Sequence, residues 1–195
     1  MPKRILIIQG HPDPAGGHFC HALADAYAAG AREGGHEVQI APLAMLDFPL
    51  LRSQAEFEHG AVPPALRVWQ ELIRNAEHLV IIYPLWLGTM PALLKGFLEQ
   101  VFRPDFAFKK TAPGRMWRKG LAGKSARIVV TMGMPAFIYR WYFGAHSLKS
   151  LERNILRFAG IKPIRETLIG RVEAISDAKR QSCLDDLQAL GAAAR

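Results

Sequence analysis

Cysteine is scarce in this sequence: Cys20 and Cys183 are the only two, and they lie far apart along the chain. Small disulfide-stabilised folds need several cysteines at short spacings, so a disulfide framework is excluded. No apolar run reaches the roughly 20 residues that a membrane-spanning helix requires. The apolar run that begins directly after Met1–Arg4 is also too short for a signal peptide. A reducing, cytoplasmic location is therefore expected.

Acidic residues are few relative to basic ones: 17 Asp and Glu stand against 25 Lys and Arg, which gives a formal charge of +8. Much of the excess lies at positions 103–127, where eight basic residues accompany a single acid, Asp105. The eight are Arg103, Lys109, Lys110, Arg115, Arg118, Lys119, Lys124 and Arg127. Such a segment suits a nucleic acid, an anionic membrane or a phosphorylated ligand, and it equally suits a solvated basic loop. Because it offers few interleaved aromatic residues, nucleic-acid binding is not expected.

The signatures of nucleophilic hydrolases are missing. The sequence has no Gly-x-Ser-x-Gly turn, and no Ser or Cys is flanked by a plausible His and acid. No pair of inward-facing carboxylates stands out. His11, His18, Cys20 and His21 raise the question of a metal, but no matching pair of ligands follows elsewhere, so no metal is expected. These absences favour chemistry that a cofactor performs.

Strand and helix patterns alternate along the 195 residues, a length that fits one domain, 1–195. Apolar runs predict strands over Lys3–Gln9, Glu37–Ala41, His78–Tyr83, Ala126–Met132 and Pro163–Ile169. Helical spacing predicts helices over His18–Glu33, from Pro64 onward, and over Pro91–Phe102, Tyr142–Ala159 and Asp177–Ala194. The segment Pro42–Val62 is predicted to be a long irregular connection.

This alternation predicts an α/β fold in which a five-stranded parallel sheet carries helices on both faces. Right-handed crossovers leave few topologies, and the flavodoxin-like three-layer sandwich is the commonest at this length. Such sheets bind ligands beyond the carboxyl ends of their strands. Three segments follow predicted strand ends, namely Gly10–Phe19, Tyr83–Pro91 and Thr131–His146. They are expected to converge on one site.

The first of these segments, GHPDPAGGHF, is rich in glycine but is neither a P-loop nor a G-x-G-x-x-G fingerprint. It leads into a helix, whose free N–H groups and positive dipole end attract a phosphate. Gly16 and Gly17 allow the backbone to approach closely, and His18 is placed to donate to a phosphate. A tight turn with His18 as an ordinary cap is the alternative.

The second segment, YPLWLGTMP, is unusually apolar for a turn. Leu85, Trp86 and Leu87 are adjacent, so they cannot all face the core. Together with the turn amides they predict a pocket for the edge of a planar heterocycle. A dimer contact is the structural alternative, and the two are compatible.

The third segment, TMGMPAFIYRWYFGAH, is dense in aromatic residues. Tyr139 and His146 supply a hydroxyl and an imidazole near the expected site, which suits them to polarise or protonate a developing anion. For each, a partly buried side chain with an ordinary hydrogen-bond partner is the alternative.

Taken in this order, the segments resemble those of the NAD(P)H:quinone oxidoreductase family, flavodoxin-like proteins that include DT-diaphorase and short bacterial relatives. The stretch PLWLGTMPALLKGFLEQVF is similar to the family's P-L-x-W-x-x-x-P-A-x-L-K-G-x-x-x-x-V-F segment around the flavin ring, with Leu87 where Trp is more usual. The run HFCHAL resembles the family's Ser-Phe-Asn segment, with His18 in place of Ser and Cys20 in place of Asn. Thr131 and Gly133 resemble a Thr-Thr-Gly-Gly turn.

The resemblance implies a bound flavin, with FMN favoured and FAD left open. NAD(P)H would be the hydride donor in a ping-pong reaction that reduces a quinone or similar acceptor by two electrons, and the protein would be a homodimer. Catalytic roles are implied for Tyr139 and, one residue beyond the usual position, for His146. Flavin contacts are implied for His11, His18, Phe19, Cys20, Gln70, Pro84, Leu85, Trp86, Leu87, Gly88, Thr131, Met132, Gly133, Met134 and Tyr139.

Two alternatives follow from the same resemblance. Some relatives are ancillary proteins of potassium-efflux systems, so a flavin-binding regulatory subunit with a membrane or channel partner is the main alternative. A flavodoxin-like electron carrier is disfavoured because such carriers tend to be acidic, whereas this chain carries +8. Within the oxidoreductase reading, the basic segment 103–127 is a candidate for attracting the pyrophosphate or 2′-phosphate of the nicotinamide cofactor.

Overall fold

The computed structural model describes residues 1–109 and 117–195. Its strands are β1 (Arg4–Gln9), β2 (Glu37–Pro42), β3 (His78–Pro84), β4 (Phe108–Lys109), β5 (Arg118–Lys119), β6 (Ser125–Thr131) and β7 (Ile164–Ile169). Five of them form a parallel sheet in the order β2-β1-β3-β6-β7, while β4 and β5 pair separately. This is the flavodoxin-like order that the sequence predicts, and the predicted fold class is confirmed.

Seven α-helices connect or flank the described strands. They are α1 (Phe19–Glu33), α2 (Gln54–His59), α3 (Pro64–Asn75), α4 (Ala92–Val101), α5 (Ala136–Trp141), α6 (His146–Lys149) and α7 (Asp177–Ala192). A 3-10 turn spans Leu43–Met45, and a π-helical segment, Ser150–Arg157, continues α6. Over the described ranges, no helix combines the length and the apolar character needed to cross a membrane.

The sheet separates two hydrophobic layers, as expected for parallel strands that are buried on both faces. In β1, Ile5 and Ile7 pack with α1 and α7, whereas Leu6 and Ile8 pack with α3 and α4 on the other side. The central strand β3 is buried at every position. The core therefore holds the strand ends in fixed positions, and these ends determine where the following loops leave the sheet.

Helices α1 and α7 pack at short range because glycines lie between them. A Cβ atom on Gly30 would lie 1.9 Å from the Gln188 carbonyl oxygen, and one on Gly191 would lie 2.2 Å from the Tyr27 carbonyl oxygen. Any larger residue at either position would push the helices apart. These contacts hold the second half of α7 directly against α1.

The predictions for two segments are wrong. The connection Pro42–Val62 contains α2, whose cap Ser53 accepts a hydrogen bond from the Glu56 N–H at 3.1 Å. Ser-x-x-Glu is a capping box and was the available signal. The helix predicted over Tyr142–Ala159 is interrupted, because Gly144 and Ala145 have φ values of 62° and 49°. These left-handed residues end the turn after α5, and the next helix begins at His146.

The strand register aligns the carboxyl ends that carry the predicted site. Gln9 pairs with Ile82, Pro84 pairs with Thr131, and Thr131 pairs with Ile169. The loops that follow β1, β3, β6 and β7 therefore leave the sheet along one edge, as parallel topology requires.

Candidate functional site

A cleft of about 600 Å³ lies at this carboxyl edge. Its volume falls within the range of small-molecule and cofactor pockets, about 300–1,000 Å³. The structure brings together in it most of the residues predicted from the sequence: His11, His18, Phe19, Cys20, Pro84, Leu85, Trp86, Thr131, Met132 and Gly133. The three loops expected to converge do so.

One end of the cleft is the N-terminus of α1. Its cap residue, His18, makes no side-chain capping bond, and the first turn holds no acid. The amides of Phe19 and Cys20 have no hydrogen-bond partner within residues 1–109 and 117–195. Gly16 and Gly17 precede the helix with φ values of 74° and 75°, and a Cβ at either would meet open space. Unpaired amides at the positive end of a helix dipole form an anion site.

Histidine side chains surround this anion site. The rings of His11 and His18 stack with centroids 3.8 Å apart, and His18 Nε2 lies 2.6 Å from Asp13 Oδ2. His11 Nδ1 accepts the Asp13 backbone N–H at 3.2 Å, so the neutral His11 ring carries its proton on Nε2. Burial, reinforced by His18 and His21, lowers the pKa of His11 to about 4. His11 is therefore a neutral hydrogen-bond donor at physiological pH.

The apolar wall of the cleft is the turn that follows β3. The Leu85 N–H donates to the Thr131 carbonyl at 2.7 Å, which fixes the loop against β6. Trp86 and Thr89 exchange two backbone hydrogen bonds of 2.9 Å, and the half-exposed Trp86 ring meets His11 edge-on at 5.9 Å. Leu85 and Trp86 thus offer the apolar surface that the sequence predicts for a planar ligand.

The opposite wall joins α1 to the end of β6. The Sγ of Cys20 lies 3.1 Å from Thr131 Oγ1. Burial raises the pKa of the Cys20 thiol to about 11, against the smaller opposing effect of the Thr131 hydrogen bond. The thiol therefore stays protonated and is a poor nucleophile. At Gly133, a Cβ atom would meet open space, so a ligand can approach the backbone closely there.

Sequence reasoning missed a fourth contributor, the loop from β7 to α7. Val172, Glu173 and Arg180 line the cleft. Arg180 donates from Nη2 to the Val172 carbonyl at 3.0 Å, and its guanidinium carbon lies 4.9 Å from the centre of the Phe19 ring. The available signal was topological, since β7 ends at the same edge as β6. Asp13 and Gly17 also line the cleft, and both belong to the first predicted loop.

The structure does not bring the predicted catalytic residues into the cleft. Tyr139 is only 2% exposed, and its hydroxyl lies 2.7 Å from Ser147 Oγ and accepts the Leu148 N–H at 3.2 Å. His146 starts α6, with its Nε2 against Gly144, where a Cβ atom would lie only 2.8 Å away. The short helix α5 turns Tyr139 inward, which the sequence spacing alone did not reveal.

Four predicted flavin contacts are likewise absent from the cleft lining. Gln70 donates to the Val101 carbonyl at 3.0 Å and thereby ties α3 to the end of α4. Leu87 and Gly88 form the tip of the turn after β3, with φ values of 47° and 77°, and the Leu87 side chain is fully exposed. Met134 packs against the core. These four residues lie outside the lining of the cleft, and their contact with a flavin stays a prediction.

The basic segment is partly structural. Arg103 is 4% exposed and donates to the carbonyls of Glu56 and Gly60, while Arg127 donates to the Arg195 carbonyl at 2.6 Å and to Thr167 Oγ1 at 2.6 Å. Lys124 donates to the carbonyls of Arg74 and Ala76. It directly precedes β6, whose far end lies at the cleft about 20 Å away. Lys110 and Arg115 lie outside the described residues.

The cleft is compatible with a flavin mononucleotide in its overall chemistry. The unpaired amides at the start of α1 suit a phosphate, and the polar strip from His11 to Thr131 suits a hydroxylated chain. Leu85, Trp86 and the open backbone at Gly133 suit a flat ring.

Comparisons with known proteins agree with this architecture. A family model described as "Flavodoxin-like fold" matches residues 3–190. The chain is 27% identical over 184 residues to an uncharacterized NAD(P)H oxidoreductase of Haemophilus influenzae, covering 92% of this chain and 90% of the relative. It is 31% identical over 129 residues to an FMN-dependent NADH:quinone oxidoreductase of Alkalilimnicola ehrlichii, covering 60% of this chain and 62% of the relative. The crystal structure of Smu.1420 from Streptococcus mutans superimposes with a TM-score of 0.79 at 29% identity, covering 97% of this chain and 98% of that one.

Proposed function

The chain belongs to the family described as flavodoxin-like fold, and from that premise we propose that it is a flavin-dependent NAD(P)H oxidoreductase that reduces quinones or similar acceptors. The cleft carries the proposal, because one continuous surface combines an open helix N-terminus with an apolar wall. The names of relatives support it further, since one is an NAD(P)H oxidoreductase and another is an FMN-dependent NADH:quinone oxidoreductase. The cofactor is FMN.

The chain's own residues bind and orient rather than perform strong acid–base chemistry. The amides of Phe19 and Cys20 would hold the phosphate, with His18 beside them. Leu85 and Trp86 would pack along the ring and exclude water from it. When bound, the flavin supplies the hydride-accepting and hydride-donating chemistry. In a ping-pong order, which the resemblance to quinone oxidoreductases implies, NAD(P)H and the acceptor would occupy the cleft in turn.

His11 is the polar side chain best prepared to act on the bound ligand. Its Nδ1 is occupied by the Asp13 N–H, and its lowered pKa keeps the ring neutral, so Nε2 is a permanent hydrogen-bond donor. Arg180 adds a fixed positive charge at the same end of the cleft, beside Phe19. Together they favour an anionic group between α1 and α7.

A homodimer completes this proposal. Large apolar side chains remain exposed on the loops and helix that follow β3 and β6: Leu87, Phe137, Trp141, Tyr142 and Phe143. Both strands end at the cleft edge, so a second copy that covers these side chains would also wall the cleft. Aromatic side chains of this kind are enriched at the centres of protein interfaces.

The experiment is reconstitution of the purified full chain with FMN, and separately with FAD, followed by NAD(P)H oxidation with a quinone. We expect a yellow protein that retains FMN and oxidises NAD(P)H catalytically only when the acceptor is present. A chain that retains neither flavin would refute the proposal. A chain that retains a flavin without turnover for any quinone, azo or nitro acceptor would favour the regulatory-subunit alternative.

A further inference from the structure

The anion end of the cleft contains a paired histidine, His18, in an unusual setting. Its Nε2 lies 2.6 Å from Asp13 Oδ2, and its ring stacks on His11 with an interplanar angle of 19°. Asp13 is itself held in place, since its Oδ1 accepts the Ala15 N–H at 2.9 Å and its own N–H donates to His11. The orientation of the His18 ring is therefore set from two sides, by a carboxylate and by a stacked ring.

This arrangement determines what His18 can offer to a second anion. A neutral imidazole has one N–H group and one lone pair. In the neutral ring, Nε2 carries the proton and donates it in a hydrogen bond to Asp13. Nδ1 is then left with a lone pair, which repels a phosphate oxygen. Only the protonated ring has a second N–H to donate while it keeps its bond to Asp13. An imidazolium between a carboxylate and a phosphate also forms two charge-assisted hydrogen bonds.

We propose that His18 is a proton-dependent ligand for the flavin phosphate, so that the chain binds FMN with uptake of one proton at this residue. The inference rests on the proposed function, because it assigns the phosphate end of the same cleft. In this proposal His18 contacts the terminal phosphate monoester, the group that FMN has and riboflavin lacks.

The other charged groups at this end do not supply the same pH dependence. His11 is held neutral by burial, which lowers its pKa to about 4, and Arg180 keeps its charge throughout the neutral range. The pKa of Asp13 is lowered, first by the hydrogen bond from His18, so this carboxylate stays ionised. Glu173 lines the cleft from the β7–α7 loop.

His21 is the remaining imidazole beside His18. Its ring lies 5.7 Å from that of His18 between centroids, and its Nδ1 is buried without a hydrogen-bond partner within the described ranges. The contributions of His18 and His21 to the pH dependence therefore have to be distinguished by separate substitutions.

The expected signature is a dissociation constant for FMN that rises with pH. Imidazole is the side chain that loses its charge across the physiological pH range, so fewer rings offer a second N–H at pH 8.5 than at pH 6.5. The phosphate monoester is largely dianionic across this window, since its second pKa is about 6. We expect the dissociation constant for FMN to rise about ten- to fiftyfold from pH 6.5 to pH 8.5, and that for riboflavin to change less than about twofold.

The test is an equilibrium titration of the full chain with FMN and with riboflavin, read by flavin fluorescence at pH 6.5, 7.5 and 8.5. His18→Ser should bind FMN with a dissociation constant that no longer depends on pH, while its riboflavin affinity stays near that of the parent chain and reports an intact cleft. His21→Ser should keep the pH dependence. His59→Ser is the matched control, because His59 is an exposed residue of α2.

Three results would overturn the inference: equal pH dependence for FMN and riboflavin, pH dependence that survives His18→Ser, or pH dependence that His21→Ser alone removes. In each of these cases flavin still binds, so the proposed function stands. If neither flavin binds at any of the three pH values, the proposed function fails as well, and that outcome is distinct.

Discussion

The hydroxyl of Tyr139 lies 2.7 Å from Ser147 Oγ, across the left-handed turn that separates α5 from α6. The same hydroxyl accepts the Leu148 N–H at 3.2 Å, and the side chain is almost fully buried. This contact ties the two helices together after the break at Gly144 and Ala145. Tyr139 thus acts in the described structure as a connection within the fold, outside the lining of the cleft.

Replacing Tyr139 by Phe should lower stability more than activity. The change leaves the buried Leu148 N–H without an acceptor, which costs about 1–3 kcal/mol in the free energy of unfolding. Urea unfolding of the two proteins measures this loss, and Ser147→Ala is the matched variant for the other side of the contact. Quinone reduction at saturating FMN should keep its kcat within about threefold, a change of roughly 0.7 kcal/mol or less in the barrier. A large loss of kcat at unchanged stability would return Tyr139 to a catalytic role.

Arg103 should behave as a core residue despite its place in a basic segment. Its guanidinium donates to the carbonyls of Glu56, Gly60 and Gln100 and to the Gln100 side chain. Arg103→Ala would remove these hydrogen bonds, two of which are buried, and lower the free energy of unfolding by about 2–4 kcal/mol. Arg118→Ala, at an exposed position in β5, is the control and should change it by less than about 0.5 kcal/mol. The idea fails if both variants unfold at the same urea concentration.

The sequence predicts the strand order and the converging loops because these depend on patterns that persist over many residues. Continuous aliphatic runs identify β1, β3 and β6, and parallel topology then places the carboxyl ends of these strands at the same edge of the sheet. The family resemblance is confirmed by the match over residues 3–190.

Side-chain directions near a chain reversal were harder to predict. Tyr139 faces inward because α5 is short and the backbone turns left-handed at Gly144 and Ala145, and neither feature follows from residue spacing. Arg180 was missed for the opposite reason: it lies in the first turn of a correctly predicted helix, but only the packing of α7 on α1 brings it to the cleft.

Stability should fall as the pH decreases from about 6.5 toward 3, partly through His78. Burial, reinforced by the nearby charges of Lys3 and Arg127, lowers the pKa of His78 to about 3, and the side chain pairs with Ser125 Oγ at 2.8 Å. In the unfolded chain this histidine takes up a proton near pH 6.5, whereas in the folded chain it stays neutral. The unfolded state therefore binds more protons across this window, so stability rises with pH, by up to about 1.4 kcal/mol per pH unit for one such group.

Urea unfolding at pH 4, 5, 6 and 7 measures this slope. His78→Gln removes the titrating group and should make the dependence shallower over the same range, whereas His59→Gln, at an exposed site, should leave it unchanged. Carboxylates contribute equally to the pH dependence of stability in all three proteins. The difference between their slopes therefore measures the contribution of His78. Identical slopes in the parent chain and in His78→Gln would contradict the assignment.

Leu87 should stabilise the proposed homodimer, although its left-handed backbone conformation lowers the stability of the monomer. A leucine with a φ of 47° and a fully exposed side chain gains nothing from its own fold, and left-handed leucine costs roughly 1–2 kcal/mol. Leu87→Asn relieves this cost, because Asn tolerates the left-handed conformation, and it removes the apolar contact. We therefore expect a monomer that is more stable by up to about 1 kcal/mol and a dimer that dissociates at higher protein concentration.

Light scattering across a dilution series measures the dimer, and urea unfolding at low concentration measures the monomer. Val68→Asn, which changes another exposed apolar residue on α3, is the matched control and should leave the dimer unaffected. If Leu87→Asn leaves dimer dissociation unchanged, Leu87 is not at the interface. A parent chain that is monomeric at every concentration would refute the homodimer itself. The strained turn would then be explained by the cleft alone, through the position in which it holds Trp86.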